Sequence, residues 1–303
     1  MKKNVTRTII PFMMSALMLS LSACGAGNKT AGESTAASAE TSQAADHEDA
    51  TAKPADVDAA GNQVLCDQSD IRITANGLEP DGAAGPAIAV TIENGSKMNI
   101  TVQVKSISVN GYMQECSMST SVPAGELLDS EISLVPESLD RCGIEAVAKA
   151  DIVLHVIDDA TWNTIYDSDP VTFTVKGMEN YGQNHDDSGE IIFDENQIKI
   201  VSRGLSETDG LFGPQVMLYI ENNTGKNITI QAHDALVNNV ALEPMLSTEI
   251  MAGKKTVCPL SFMSAQLEKN NISTMDSLET KIHIFDSGLN TIADTSSIAI
   301  KLK

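Results

Sequence analysis

Histidine, aspartate, cysteine and tryptophan carry most of the chemical scope of this chain. His155 and His283 recur at equivalent places in two similar stretches. Four aspartates recur with them, Asp158 and Asp167 in the first stretch and Asp286 and Asp294 in the second. Carboxylates gathered at one end of a domain could hold Ca²⁺, which takes six to eight oxygen ligands. No EF-hand or nonapeptide calcium spacing accompanies them, and aspartates beside turns more often accept hydrogen bonds from the turn backbone. The four acids are therefore weak metal candidates, and no bound metal or other cofactor is expected. This pair, one histidine from each stretch and no cysteine nearby, falls short of a zinc set. A strand histidine facing solvent or a sheet rim is the expectation for both.

Trp162 is the single tryptophan and aligns with Leu289. A large apolar residue at that place in both stretches fits packing, and it also leaves Trp162 as a possible ligand contact. Cys116 and Cys142 fall in the first stretch on positions that are Pro244 and Asn270 in the second. Their joint presence makes them the candidate disulfide in an oxidising compartment. Four thiols besides Cys24 allow three connectivities, so spacing does not choose among them. The chain has no His-Glu-x-x-His, Gly-x-Ser-x-Gly, Walker loop or Cys-x-x-Cys, so no catalytic residue is assigned.

The first 23 residues show a basic start at Lys2, Lys3 and Arg7. An apolar run from Ile9 to Leu21 follows, short for the ~30 Å hydrocarbon layer of a membrane. This segment ends in Leu21-Ser22-Ala23-Cys24-Gly25, which resembles the lipobox of bacterial lipoproteins. The resemblance implies cleavage before Cys24, a diacylglyceryl group on its thiol, and a stable membrane anchor if two or more acyl chains are present. An extracytoplasmic, lipid-anchored location is expected.

Residues 24–61 read as a disordered tether. From Gly25 to Ala60 there is no aromatic residue, one β-branched aliphatic (Val57), and seven acids against two lysines. Such a composition buries too little apolar surface to offset the entropy of ordering. A flexible chain of this length spans roughly 33 Å on average. The formal charge of the whole chain is -21, and losing Lys2, Lys3 and Arg7 would make the remainder more negative. Nucleic acid is thus excluded as a partner on electrostatic grounds.

An internal duplication organises the rest. Gly85–Asn110 and Gly213–Asn238 match without a gap at 11 of 26 positions, where chance would give about one or two. Ile71, Ile73, Gly77 and Leu78 match Ile198, Ile200, Gly204 and Leu205, and Ala124-Gly125 matches Ala252-Gly253. Within each copy the apolar period is two, as in Ile88, Val90 and Ile92 or Val216, Leu218 and Ile220. The phase slips between Val104 and Ile107, which predicts a β-bulge there. Further strands are predicted near 127–134, 152–157 and 171–175, and short helical turns near 137–141 and 264–269. Asn94-Gly95-Ser96 and Asn222-Asn223-Thr224-Gly225 have hairpin-turn chemistry.

Short strands at this spacing define an all-β chain of two tandem antiparallel β-sandwiches of immunoglobulin-like type. The expected divisions are the signal peptide 1–23, the tether 24–61, a first sandwich 62–176, a linker 177–188 and a second sandwich 189–303. The Glu221-Asn222, Lys226-Asn227-Ile228-Thr229 and Val237-Asn238 phrase resembles a repeat of Gram-positive surface lipoproteins of unassigned function. The resemblance covers both copies and implies no activity. Together these features predict a non-enzymatic binding or envelope-assembly module with a protein or glycan ligand. The alternatives are a structural spacer and an enzyme with an unrecognised site.

Overall fold

A computed structural model of the protein describes residues 52–59, 61–82, 84–206 and 211–302. The expected signal peptide, Cys24 and most of the expected tether lie outside the described residues. The first half contains β1 (Lys53–Pro54), β2 (Asp56–Val57), β3 (Gln63–Gln68), β4 (Ile71–Gly82), β5 (Gly85–Asn94) and β6 (Ile100–Val109). There follow β7 (Tyr112–Met113), β8 (Cys116–Ser117), β9 (Ser119–Val122), β10 (Leu127–Leu134) and α1 (Pro136–Arg141). Three more strands complete it: β11 (Lys149–Asp158), β12 (Thr164–Asp167) and β13 (Val171–Thr174). The second half repeats the plan in β14 (Glu190–Glu195), β15 (Ile198–Ser206), β16 (Gln215–Asn222), β17 (Ile228–Val237) and β18 (Val240–Leu242). It ends with β19 (Ser247–Ile250), β20 (Lys255–Leu260), α2 (Ser264–Lys269), β21 (Leu278–Asp286), β22 (Thr291–Asp294) and β23 (Ile298–Ile300).

These strands form two β-sandwiches that share one sheet. In the first, the β2-β3-β4-β5-β10-β8 sheet covers the β6, β11 and β13 part of the long sheet. In the second, the sheet around β17 and β21 covers the β20-β16-β15-β14 part of that same long sheet. The parts meet at a single parallel pair, Tyr112 of β7 opposite Lys255 of β20, with Lys255 N donating to Gly111 O at 3.0 Å. Two cores result. Ile71, Ile73, Ile88, Val90, Ile92, Ile132 and Ile152 lie in the first and Ile198, Ile200, Leu218, Ile220, Ile282 and Ile284 in the second. Each of these side chains is fully buried, so the period of two reports a buried face as expected. Val201, Tyr219 and Val257 of the second half belong to the first core cluster.

The bulge sits where the phase slips. On β6 the residues Ser106 and Val104 pair with the adjacent β11 residues Val153 and Leu154, leaving Lys105 as the extra residue. The short strands β1 and β2 fall inside the stretch expected to be a disordered tether. Their attachment needs no apolar side chain: Lys53 N donates to Pro170 O and Ala55 N to Thr172 O, at 3.2 and 2.9 Å. Composition speaks only to burial of side chains, so it is silent about backbone pairing at a sheet edge.

The turns after β5 and β16 differ from the hairpins read from their composition. β5 and β6 lie in different sheets, as do β16 and β17, so each turn is an arch between the layers. Asn94 and Asn222 build these arches. Asn94 Nδ2 donates to the carbonyls of Met98, Val122 and Pro123 at 2.8, 2.9 and 3.1 Å, and its Oδ1 accepts from Ser96 N at 3.1 Å. Asn222 Nδ2 donates to Lys226, Ile250 and Met251 at 2.8, 2.9 and 3.1 Å, and its Oδ1 accepts from Thr224 N at 3.0 Å. Both side chains are buried. Removing either amide leaves buried carbonyls unpaired, at about 1–3 kcal/mol for each group stranded. Asn94→Ala and Asn222→Ala should each lower the unfolding free energy by about 2–4 kcal/mol in chemical denaturation. A loss under about 0.5 kcal/mol at both sites would show that the arches do not depend on the amides.

Candidate binding surface

The predicted site residues separate into turn builders, a cross-strand pair and an exposed tip. Asp158 Oδ1 accepts from Ala160 N at 2.8 Å. Asp286 accepts from Gly288 N, Asn290 N and Asn290 Nδ2 at 3.0, 2.9 and 3.0 Å. The Asn290 backbone, with help from Lys226, holds the Asp286 carboxyl below the usual carboxylate range. Asp167 and Asp294 instead face the histidines across a strand pair, with His155 Nδ1 and His283 Nδ1 each 2.5 Å from a carboxylate oxygen. Partial burial raises the Asp167 carboxyl, but hydrogen bonds from Lys105 and His155 outweigh it and leave it lowered. Among the described residues no group of three or more His, Cys, Asp or Glu is placed to hold a metal ion. The histidines are part-buried partners of these acids, which locates them more firmly than a free rim position.

Cys66, Cys116, Cys142 and Cys258 are all free thiols. The Cys116–Cys142 bridge is therefore absent from this structure. Cys142 is buried, and that burial pushes its thiol up. Burial pushes the Cys116 and Cys258 thiols up to about 12. Alkylation requires the thiolate, and an ordinary cysteine ionises near 8.5. Iodoacetamide at pH 8 should therefore label Cys116 and Cys258 slowly in the folded protein and rapidly in denaturant. Because folding disfavours these thiolates, the stability they contribute is present below about pH 8.5 and is lost as pH rises from there towards 12. A disulfide-linked Cys116–Cys142 peptide in a non-reducing digest of the purified protein would contradict the free-thiol arrangement.

Trp162 is 70% exposed and Leu289 is 76% exposed, so neither packs into a core as their alignment suggested. Both adopt φ of +61°, a left-handed conformation that bulky side chains rarely take. The Trp162 turn belongs to one end of the first sandwich, where three loops are bonded together. Asn94 N donates to Glu126 O at 2.9 Å, and Asp159 N donates to Asn99 O at 3.1 Å. Asn99 Oδ1 also accepts from Ala124 N at 3.1 Å. The same end exposes Leu127 at 56% and Met98 at 44%. Glu126 and Asp159 are acidic neighbours at this end, and Asp159 is bound to Thr101 and Ser121, whose hydrogen bonds hold its carboxyl low.

The equivalent end of the second sandwich is engaged. There Met98, Glu126 and Leu127 are replaced by Lys226, Lys254 and Lys255. Lys254 pairs with Asp151 of the first sandwich, and both side chains are largely buried. Asp151 also accepts from Thr172 and Ser108. Ser106 Oγ lies 3.5 Å from Met251 Sδ. Lys255 lies 3.4 Å from Glu221 and 3.3 Å from His185. The hydroxyls of Tyr112 and Tyr219 approach His185 at 3.0 and 3.3 Å, and Tyr219 donates to Glu221. Burial raises the Glu221 carboxyl, but the Tyr219, Asn223 and Lys255 contacts prevail and leave it lowered. The stretch 177–188, read as a linker, supplies His185 to this junction. It also supplies Gln183, whose Nε2 donates to Gly143 O at 2.8 Å. Reading for motifs missed this cluster. Its signal lay in positions where the copies differ, such as Tyr219 for Thr91 and Lys255 for Leu127.

No family model matches the sequence, and no curated protein matches it. Solved structures resemble it in part. A crystal structure of the YadV chaperone is 8% identical, covers 75% of this chain and 100% of its own, and has a TM-score of 0.24. A protein of unknown function from Porphyromonas gingivalis is 14% identical, with 77% and 98% coverage and a TM-score of 0.22. A chaperone–tip adhesion subunit pre-assembly complex of archaic chaperone-usher Csu pili from Acinetobacter baumannii is 13% identical, with 71% and 91% coverage and a TM-score of 0.22. At such low similarity, function has to be argued from the chain's own residues.

Proposed function

We propose that the protein is a lipid-anchored, extracytoplasmic, non-enzymatic binding module whose contact surface is the free end of the first sandwich. The observation that supports it most is the exposure of Met98 and Leu127, whose counterparts are lysines at an end that docks within the chain through Lys254, together with Trp162, which is exposed like its counterpart Leu289. Apolar side chains held out in water, one of them on a left-handed turn, suit a contact made with another molecule. The rest of the molecule suits a presenting frame: 62–176 and 189–303 are the proposed folding units, braced against one another at Asp151–Lys254 and around His185. A plain spacer has no use for three apolar side chains at one end.

Two experiments test this. Cys24→Ala should move the protein from the membrane fraction to the soluble extracytoplasmic fraction, and retention on membranes with incorporated labelled fatty acid would place the anchor elsewhere. Chemical cross-linking in intact cells should yield a discrete adduct with the wild-type chain. The triple variant Met98→Ser, Leu127→Ser, Trp162→Ser should lose at least nine-tenths of that adduct while keeping its thermal unfolding midpoint. Equal adduct yield from both chains would assign the contact to another surface.

A further inference from the structure

The two copies of the duplicated domain carry the same three loops at the same end, and one of these ends is already docked. Its docking chemistry is visible. Lys254 enters the side of the first sandwich and pairs with Asp151, a buried carboxylate that Ser108 and Thr172 also bind. Lys255, next in sequence, gives its backbone N–H to Gly111 O of the first sandwich, while its side chain pairs with Glu221 and Lys226 pairs with Asp286, both within the second sandwich. Here a basic loop end meets an acidic acceptor.

The first sandwich inverts that chemistry on the same backbone. Glu126 stands where Lys254 stands in the second copy, and Met98 and Leu127 replace Lys226 and Lys255. A carboxylate therefore moves from the acceptor to the loop end, where it stands near Lys97, which takes the place of Gly225. Resting on the reading that this end is a binding surface, we propose that its partner is a different protein, presenting a basic side chain to Glu126 beside an apolar patch for Trp162, Leu127 and Met98. A second copy of this chain fits poorly. Repeating the internal contact between chains would bring Glu126 to Glu279, which occupies the place of Asp151 in the second sandwich. Asp151 itself is already taken by Lys254. Like charges juxtaposed at an interface oppose assembly, whereas complementary ones set partner choice and speed association. Anionic lipid headgroups are disfavoured for the same reason, in a chain whose formal charge is -21.

A photo-reactive amino acid placed at residue 127, in cells that naturally make the protein, reads this directly. The expected product is one discrete protein adduct whose cross-linked peptide contains Lys or Arg, with little adduct to the chain itself or to lipid. Glu126→Lys is a mild substitution, because the second copy carries lysine at this position on the same loop. It should lower the adduct yield about tenfold, and raising the salt concentration should lower the wild-type yield in the same direction. Trp162→Ser should lower it as well. If Trp162→Ser abolishes the adduct while Glu126→Lys and salt leave it unchanged, the basic partner is wrong and the binding surface stands. If neither substitution changes the adduct, or no adduct forms, the binding surface itself is wrong. An adduct made chiefly with a second copy or with lipid would overturn the proposed partner.

Discussion

The buried side chains of Asn94 and Asn222 are the constraint from which the rest of the architecture follows. Each amide holds three backbone carbonyls from two loops and turns the chain from one layer of a sandwich to the other. A primary amide suits this place because one planar group has two N–H donors, one of them shared between two consecutive carbonyls here, and an oxygen that accepts. A carboxylate could not donate to the carbonyls, and an aliphatic residue would leave them unpaired in a dry environment. With the arch set, the loops at 94–99 and 122–126 are placed together, and the end of the sandwich has a defined shape. Asn110 and Asn238 brace the opposite end alike, each amide nitrogen donating to one carbonyl and each amide oxygen accepting from two backbone N–H groups.

Much of this was legible because strands report burial on alternate residues. Ile88, Val90 and Ile92 had to share a face, and the change of parity between Val104 and Ile107 could be relieved only by an extra residue, which is Lys105. The layer change at Asn94 was not legible. An asparagine that caps a turn looks the same in a hairpin as in an arch, and the choice depends on which strand is available to pair next. The early strands at 53–57 were hidden for a related reason, since two-residue edge pairings rest on backbone groups that every sequence possesses.

Identity between the copies marks what both need in order to fold, and difference marks where each meets something else. Asn94, Asn99, Gln103 and Asn110 have exact counterparts that make the same hydrogen bonds. Tyr219, Lys254 and Lys255 lack such counterparts, and all three sit at the junction. The contact sets the end of one copy against the side of the other, a heterologous pairing in which the two surfaces have different requirements and the duplicated sequences diverge accordingly. The acids that suggested a metal site follow the same logic from the other direction. Asp158 and Asp286 are duplicated because both turns need an acceptor, and Asp167 and Asp294 because both histidines need a partner.

The parallel attachment of β1 to β13 gives the molecule a mechanical character. For a chain held at its amino-terminal end, a pull on the body of the protein reaches the short pairings at 53–57 before it reaches the long strands of the cores. Those pairings rest on a few backbone hydrogen bonds at a sheet edge, so they peel while the sandwiches stay closed. Peeling from Lys53 to Asn62 releases slack of about 3.3–3.6 Å per residue, roughly 35 Å in all. Were the chain anchored at its amino-terminal end, the edge strands would yield under load as a sacrificial length of rope, ahead of the folded body.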